Sequence, residues 1–150
     1  MITDRTITDV NKAKEIRASK IQTFTPLTDD EKRIVERGLV SIDTLNRIED
    51  KQAELRDILT DMGYMGANVS NKRWSVATFF TEADLNRIVK NVAVLRQAYF
   101  VYSDTPNNPT ARLHYEEFNK IEKVLEDIER MVADMRSHYR ECDTFYCGEE

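Results

Sequence analysis

Residues 81–102 read TEADLNRIVKNVAVLRQAYFVY, and this stretch carries the clearest structural signal in the chain. Its apolar residues recur at alternating steps of three and four positions without a break. They are Leu85, Ile88, Val92, Leu95, Tyr99 and Tyr102. On an α-helix, such steps place the side chains along one seam, which has to face other helices. The stretch therefore predicts an amphipathic helix that starts at Thr81.

Two further stretches show the same spacing, one from Asp43 and one after Thr110. The seam residues are Leu45, Ile48, Leu55, Leu59 and Met62 in the first, where Gln52 interrupts the series, and Phe118, Ile121, Leu125, Ile128, Val132, Met135 and Tyr139 in the second. The chain has only 4 Gly and 3 Pro in 150 residues, which favours few connections. We therefore expect an all-α helical bundle with three long heptad-patterned helices.

The N-terminal region predicts one or two short additional helices. Residues 4–19 carry a narrow apolar stripe, and Asp4 or Thr8 is suited to cap that helix. Thr28 and the glutamate three residues later match a capping box, and Gly38 is suited to end the second helix in a left-handed conformation.

We expect one helical domain over residues 1–150. The short helices would occupy 1–40, the main bundle 41–140 and a tail 141–150.

Each long helix contains a Leu/Phe-Asn-Arg/Lys-Ile tetrad near its start. The tetrads begin at Leu45, Leu85 and Phe118, at intervals of 40 and 33 residues. These intervals are compatible with repeated helical hairpins, but three copies of a four-residue pattern also arise by chance in helix-rich chains. The tetrad asparagines, Asn46, Asn86 and Asn119, either hydrogen-bond across the bundle or face water beside their basic neighbour.

The connection over residues 63–80 is long for a compact domain and contains Trp74, the only tryptophan. Its middle, residues 67–76, alternates weakly and predicts a small β-hairpin. Residues 103–109, with two prolines, indicate a plain turn. Trp74 either folds back onto the helices or anchors a partner. The expected partner-binding residues are Trp74, Arg73, Tyr64, Phe145 and Tyr146.

Composition and charge argue against several functional classes. The net charge is −5 and no run of Lys or Arg occurs, so we expect no nucleic-acid binding. No apolar stretch approaches the roughly 20 residues of a membrane-spanning helix, and the first residues do not resemble a signal peptide. We therefore expect synthesis in a cytosol and no membrane association.

No motif indicates catalysis, a cofactor or a metal. His114 and His138 would lie roughly 36 Å apart on one helix, and both are expected at the surface. Cys142 and Cys147 lack the companion ligands of a zinc site, so free thiols are expected. The carboxylates of the last helix, including Glu116 and Glu122, are expected on solvated polar faces, since no Glu-x-x-His pair occurs. We expect no enzymatic activity.

Several segments in order resemble a family of bacteriophage and prophage proteins. They are Ile2-Thr3-Asp4-Arg5-Thr6 with Asp9-Val10, Gly38 followed by Thr44-Leu45-Asn46-Arg47-Ile48-Glu49, Gly63-Tyr64, Trp74, Asn91-Val92, Pro106, Pro109, Asn119, Ile121-Glu122-Lys123, Leu125, and Tyr146-Cys147-Gly148-Glu149. The chain departs from the family pattern at residues 39–42 and 141–143.

The resemblance implies a structural module of a tail or baseplate-associated protein, located in a virion or tail-like particle. Its partners would be other phage structural proteins, with self-association as a further option. The alternative is a cytoplasmic helical adaptor or regulator that binds a partner helix through an exposed seam.

Overall fold

The computed structural model describes residues 1–64, 68–98 and 101–142, with side chains in the last helix described as far as residue 137. Five α-helices follow one another: α1 (Ile7–Thr23), α2 (Asp29–Gly38), α3 (Ile42–Asp61), α4 (Glu82–Ala98) and α5 (Tyr115–Cys142). The described ranges contain no strand. The all-α prediction is confirmed.

The helix starts follow local capping chemistry, although not always at the expected residue. The capping box of Thr28 and Glu31 at the start of α2 is confirmed. The first helix is capped by Thr6, whose side chain accepts from the Asp9 amide, so the expectation of Asp4 or Thr8 was wrong. The Asp9 carboxylate accepts the Thr6 amide in return, which completes a second capping box.

Gly38 ends α2, but the prediction of a left-handed conformation there was wrong. Among the described residues only Phe24 and Gly63 have a positive φ, of 51° and 87°. Gly38 is needed for close approach instead, since a Cβ atom there would lie 2.2 Å from the Asp9 carbonyl oxygen. It would also lie 2.5 Å from the Cβ atom of Ala13. The missing side chain lets α1 and α2 pack tightly as a helical hairpin.

Helices α3, α4 and α5 pack around a common hydrophobic core. Most seam residues named above are buried there, and Trp74 and Val124 join them. The core consists of Leu45, Ile48, Leu55, Leu59, Trp74, Leu85, Ile88, Val92, Leu95, Phe118, Ile121, Val124, Leu125, Ile128 and Val132. Tyr102 is an exception, because it lies in the connection after α4 rather than on that helix. Tyr99 and the side chain of Tyr139 lie outside the described part of the chain.

The three core helices run parallel to one another. Between α3 and α5, Arg47 pairs with Glu122 and Lys51 pairs with Glu129. Between α3 and α4, the contacts are Arg87 with Glu49 and then Asn91 with Gln52. In each pair of helices the residue numbers increase together, and this is possible only when the helices point the same way. This direction rules out helical hairpins for α3, α4 and α5, which was one of the two interpretations that the sequence left open for the repeated tetrads.

The long connections run back along the helices, which is what permits a parallel arrangement. After α4, Thr105 donates to Asp127 at 3.0 Å, and the Thr110 amide then donates to Glu117 at 2.6 Å. The residue numbers of α5 decrease as the connection advances, so its backbone runs antiparallel to that helix. Each core helix after α3 thus begins at the same end of the molecule as α3.

Candidate partner-binding surface

Trp74 lies in the core, which is the folded-back arrangement that the sequence left open. Its side chain is 4% exposed, and its ring centroid lies 5.4 Å from that of Phe80. The ammonium group of Lys72 lies 4.4 Å from the centre of the indole, within the range of a cation–π contact. In this conformation Trp74 contacts its own chain and offers little surface to a partner.

The indole N–H of Trp74 donates to Glu49, at 3.2 Å from Oε1. Glu49 is a buried carboxylate on α3, and Arg87 of α4 binds both of its oxygens, at 2.9 and 2.5 Å. The backbone amide of Lys72 and the side chain of Asn71 also donate to it, at 3.2 and 3.3 Å. The pKa of Arg87 is raised, chiefly by its hydrogen bond with Glu49, so the guanidinium stays charged. Glu49 of α3 therefore binds both the connection between α3 and α4 and, through Arg87, helix α4 itself.

The same connection is held by asparagine side chains, which replace the expected β-hairpin. Asn46 accepts the amide of Trp74 at 2.8 Å and donates to the carbonyl of the same residue at 3.1 Å. Asn91 makes the same two-point contact with Ser70, at 3.3 and 2.8 Å. A carboxamide has one donor group and one acceptor group. It can therefore bind both the N–H and the carbonyl of one backbone residue, as a neighbouring β-strand would. The described residues of the expected hairpin, 68–76, form no strand.

The other two tetrad asparagines differ from each other. Asn119 clamps Arg5 by the same two-point contact, accepting its amide at 3.2 Å and donating to its carbonyl at 2.9 Å. Asn86 is exposed and donates to the carbonyl of Glu82 one turn earlier. Asn46 and Asn119 therefore hydrogen-bond to parts of the chain that are distant in sequence, whereas Asn86 faces water.

The expectation that the carboxylates of the last helix are solvated was wrong for several of them. Glu122 is fully buried, and Arg5 and Arg47 bind its Oε1 at 2.9 and 3.0 Å. The amide of Ile2 also donates to Glu122. Burial alone would lower the pKa of Arg47, but the charge and hydrogen bond of Glu122 outweigh it and raise that pKa. Glu122 thus fixes the N-terminal segment to α5. Glu116 is exposed, as expected.

The remaining expected partner-binding residues do not form one site. Arg73 is exposed and pairs with Asp50 at 2.8 Å. Tyr64 packs against the core near the end of α3, where its amide donates to the Leu59 carbonyl. That point is about 14 Å along α3 from Asp50, the residue with which Arg73 pairs. Phe145 and Tyr146, like Cys147, lie outside the described residues.

The largest exposed apolar side chains near one end of the core belong to residues that precede helices. Val76 and Phe79 precede α4 and are 94% and 88% exposed, and Leu113 precedes α5 and is 72% exposed. Val40, just before α3, and Ile7, at the start of α1, are exposed as well. We call these five residues the apolar end surface.

The apolar end surface includes a groove between α1, the α2–α3 connection and the α4–α5 connection. The groove has a volume of about 250 Å³. Its lining is mostly apolar, with three basic side chains: Ile7, Val10, Gly38, Leu39, Val40, Leu113, Tyr115 and Phe118, with Arg5, Lys14 and His114. Leu113 also lines a second cavity together with Phe80 and Leu85, so the two depressions adjoin. Exposed apolar surface of this kind is typical of protein contact sites.

Sequence patterns did not single out this surface, because four of its five residues lie between helices. Heptad spacing identifies side chains that face other helices, whereas Val76, Phe79 and Leu113 belong to no seam. The available signal was a set of large apolar residues in otherwise polar connections. His114 was expected at the surface and is exposed, with its Nδ1 atom 3.5 Å from Glu116.

No group of three or more His, Cys, Asp and Glu side chains in the described part of the chain is arranged to hold a metal ion. Of the helices described, none combines the length and the apolar character needed to cross a membrane. Comparison with protein-family models, with curated protein sequences and with solved structures finds no match.

Proposed function

We propose that the chain is a non-enzymatic structural module of a phage or prophage tail-like particle, and that it acts by packing against other proteins. The apolar end surface is the observation that carries the proposal. The sequence resemblance to phage tail and baseplate-associated proteins supplies the type of assembly. In this proposal α3, α4 and α5 form a heptad-patterned bundle that serves as a rigid scaffold.

The exposure of Phe79 supports a contact role. An aromatic side chain buries 150–250 Å² when it is covered, at roughly 25 cal/mol per Å² of apolar surface. Covering Phe79 in an interface would therefore contribute several kcal/mol before the costs of association. Val76 and Leu113 extend the same end of the molecule, and contacts with a partner typically concentrate on a few such residues.

The alternative of an adaptor that binds a helix through an open seam gains no comparable support. The seam residues of α3, α4 and α5 in the described region are mostly covered by one another and by the returning connections. A partner helix would have to displace buried side chains such as Leu95 and Leu125, each 0% exposed. Removing such side chains from a core typically costs about 2–5 kcal/mol each.

The proposal is tested by replacing two apolar end residues, Phe79→Ser and Leu113→Ser, in one variant. Particles are isolated from an induced lysate of a strain that carries the gene, and the bound chain is quantified by immunoblot. We expect at least a tenfold loss of the particle-bound chain, since losing about 1.4 kcal/mol of contact energy is tenfold in affinity. Circular dichroism should show unchanged helicity and melting.

The matched control is Phe24→Ser, which removes an aromatic side chain that is 94% exposed at the far end of α1. Ile7 and Phe24 are separated by about 25 Å along that helix. The control should enter particles as the parent chain does. Equal incorporation of the end-surface variant and the parent, or absence of the parent chain from particles, would contradict the proposal.

A further inference from the structure

We infer that the groove of the apolar end surface binds a segment of a partner protein that presents a large apolar side chain beside carboxylates. The inference rests on the proposed function, because it names the chemistry of the partner for the same surface. Three observations support it: the size of the groove, the sign of its charges, and its continuity with the exposed residues around it.

The groove is smaller than a typical pocket for a drug-sized ligand and suits one or two side chains. Its volume of about 250 Å³ is below the range of roughly 300–1,000 Å³ that drug-sized ligands occupy. Its walls come from separate parts of the chain: Ile7 and Val10 from α1, Val40 from the α2–α3 connection and Leu113 from the α4–α5 connection. An apolar side chain would displace water from all of these walls at once.

Of the side chains that line the groove, Arg5 and Lys14 are cationic, and His114 and Tyr115 are titratable. No carboxylate lines it, although the whole chain has a net charge of −5. Lys14 has no ion pair among the described residues, and Glu116 faces His114 from outside the groove at 3.5 Å. The groove therefore favours an anionic occupant, although the chain as a whole is acidic.

Arg5 lines the groove, but its charge is already paired. Its Nη1 atom donates to the Ile2 carbonyl and to Asn119, and its Nη2 atom donates to the buried Glu122. Arg5 is also only 4% exposed, so it offers little surface to an occupant. Lys14 is exposed and is therefore the side chain with which a carboxylate of the occupant would pair.

A polypeptide segment fits the setting better than an isolated small anion. Ile7, Val40 and Leu113 line the groove and also belong to the apolar end surface, so an occupant can continue across that end of the molecule. An extended segment with acidic and large apolar side chains would satisfy both the basic rim and the apolar walls. A second copy of this chain is the competing occupant, and the experiment separates the two.

The test uses the full chain and three fluorescein-labelled peptides in fluorescence anisotropy. The acidic probe is Ser-Asp-Phe-Glu-Leu-Asp-Gly; in one comparison peptide lysines replace the acids, and in the other alanines replace Phe and Leu. We expect the acidic apolar probe to bind at least about tenfold more tightly than either comparison, which corresponds to about 1.4 kcal/mol. Raising the salt from 0.05 to 0.5 M should weaken it, since screening shortens the reach of exposed charges.

Lys14→Glu should weaken the acidic probe by about tenfold or more, by the same conversion. Lys90→Glu is the matched control, because Lys90 is exposed, without an ion pair in the described chain, and outside this groove. It should leave the affinity unchanged, and melting curves should show that both variants fold.

Several results would overturn the inference. One is the absence of binding by the acidic probe, and another is equal binding of the lysine peptide. If Lys14→Glu changes only the sedimentation of the pure chain, the occupant is a second copy and the inference is wrong. None of these results affects particle incorporation, which tests the proposed function separately.

Discussion

Replacing Glu49 by Gln should destabilise the chain more than any other isosteric change on α3. The substitution keeps the shape of the side chain but removes its charge and turns one acceptor oxygen into a donor. Arg87 binds one Glu49 oxygen with each of its terminal nitrogens, at 2.9 and 2.5 Å, so it would lose the carboxylate charge and at least one of these bonds. The indole of Trp74 and the amide of Lys72, each 3.2 Å from a Glu49 oxygen, would compete for the one oxygen that remains.

The magnitude follows from burial. Removing one partner of a buried ion pair typically costs about 3–5 kcal/mol. Glu49 is 2% exposed, but the Arg87 side chain is 21% exposed and can recover some hydration. We therefore expect Glu49→Gln to lower the free energy of unfolding by about 3 kcal/mol, the lower end of that range. For a chain of this size that corresponds to a fall in Tm of roughly 6–12 °C.

The assay is urea unfolding followed by circular dichroism and by tryptophan emission. Trp74 is the only tryptophan, so its emission reports on the connection that Glu49 holds. We expect a lower midpoint and a red-shifted emission in Glu49→Gln before the helices unfold.

Glu54→Gln is the control on the same helix, since Glu54 is about half exposed and pairs only with Lys51 in the described chain, at 2.7 Å. An exposed pair should contribute less than about 1 kcal/mol. If Glu49→Gln costs no more than Glu54→Gln, the connection is not held by this carboxylate.

Three further predictions follow from the same contacts. Asn46→Ala should lower the free energy of unfolding in urea by about 1–3 kcal/mol, because the amide and carbonyl of Trp74 lose their hydrogen-bond partner. Asn86→Ala should change it by less than about 0.5 kcal/mol, and equal losses in the two variants would contradict the different roles of the two asparagines. Gly38→Ala should lower Tm despite the better helix propensity of alanine, because the new Cβ atom would lie 2.2 Å from the Asp9 carbonyl oxygen; a higher Tm would show that α1 and α2 can separate freely. The pKa of Asp84 lies below its ordinary value of 3.8, chiefly because the hydroxyl group of Thr81 donates a hydrogen bond to its carboxylate. The ionised carboxylate therefore contributes its full stabilisation above pH 3.8, and this contribution is lost as the pH falls through the lower pKa of the folded state. Unfolding free energies of Asp84→Asn should therefore depend less on pH than those of the parent below 3.8, and parallel curves would refute this.

The helices and their buried faces could be predicted because they depend on local spacing. A residue such as Leu95 or Leu125 has to face other helices whenever its neighbours three and four positions away are apolar, and both are buried. The capping box at Thr28 was equally predictable, since its two partners are three residues apart.

Carboxylate burial was not predictable in the same way. Glu122 lies on the polar flank of a seam, where most carboxylates are solvated. It is buried because Arg5, far away in the sequence, folds over it. The same holds for Glu49, which is covered by a connection whose alternating pattern resembled a hairpin. In both cases a segment that is distant in sequence covers the carboxylate, although the local sequence pattern predicts that it faces water.

The seam spacing of residues 82–98 determined by itself that this segment is helical and which side it buries, because helical periodicity needs only neighbouring residues. The same spacing continues to Tyr102, which lies in the following connection. It could not determine the direction of α4 relative to α3, since a heptad seam packs equally well against a parallel or an antiparallel neighbour. Only the tertiary structure decided that the three core helices are parallel. The connections that run back along the helices make this possible. The contacts of the α3–α4 connection with Glu49, Asn46 and Asn91 bring the exposed Val76 and Phe79 to the end of the molecule where α4 begins.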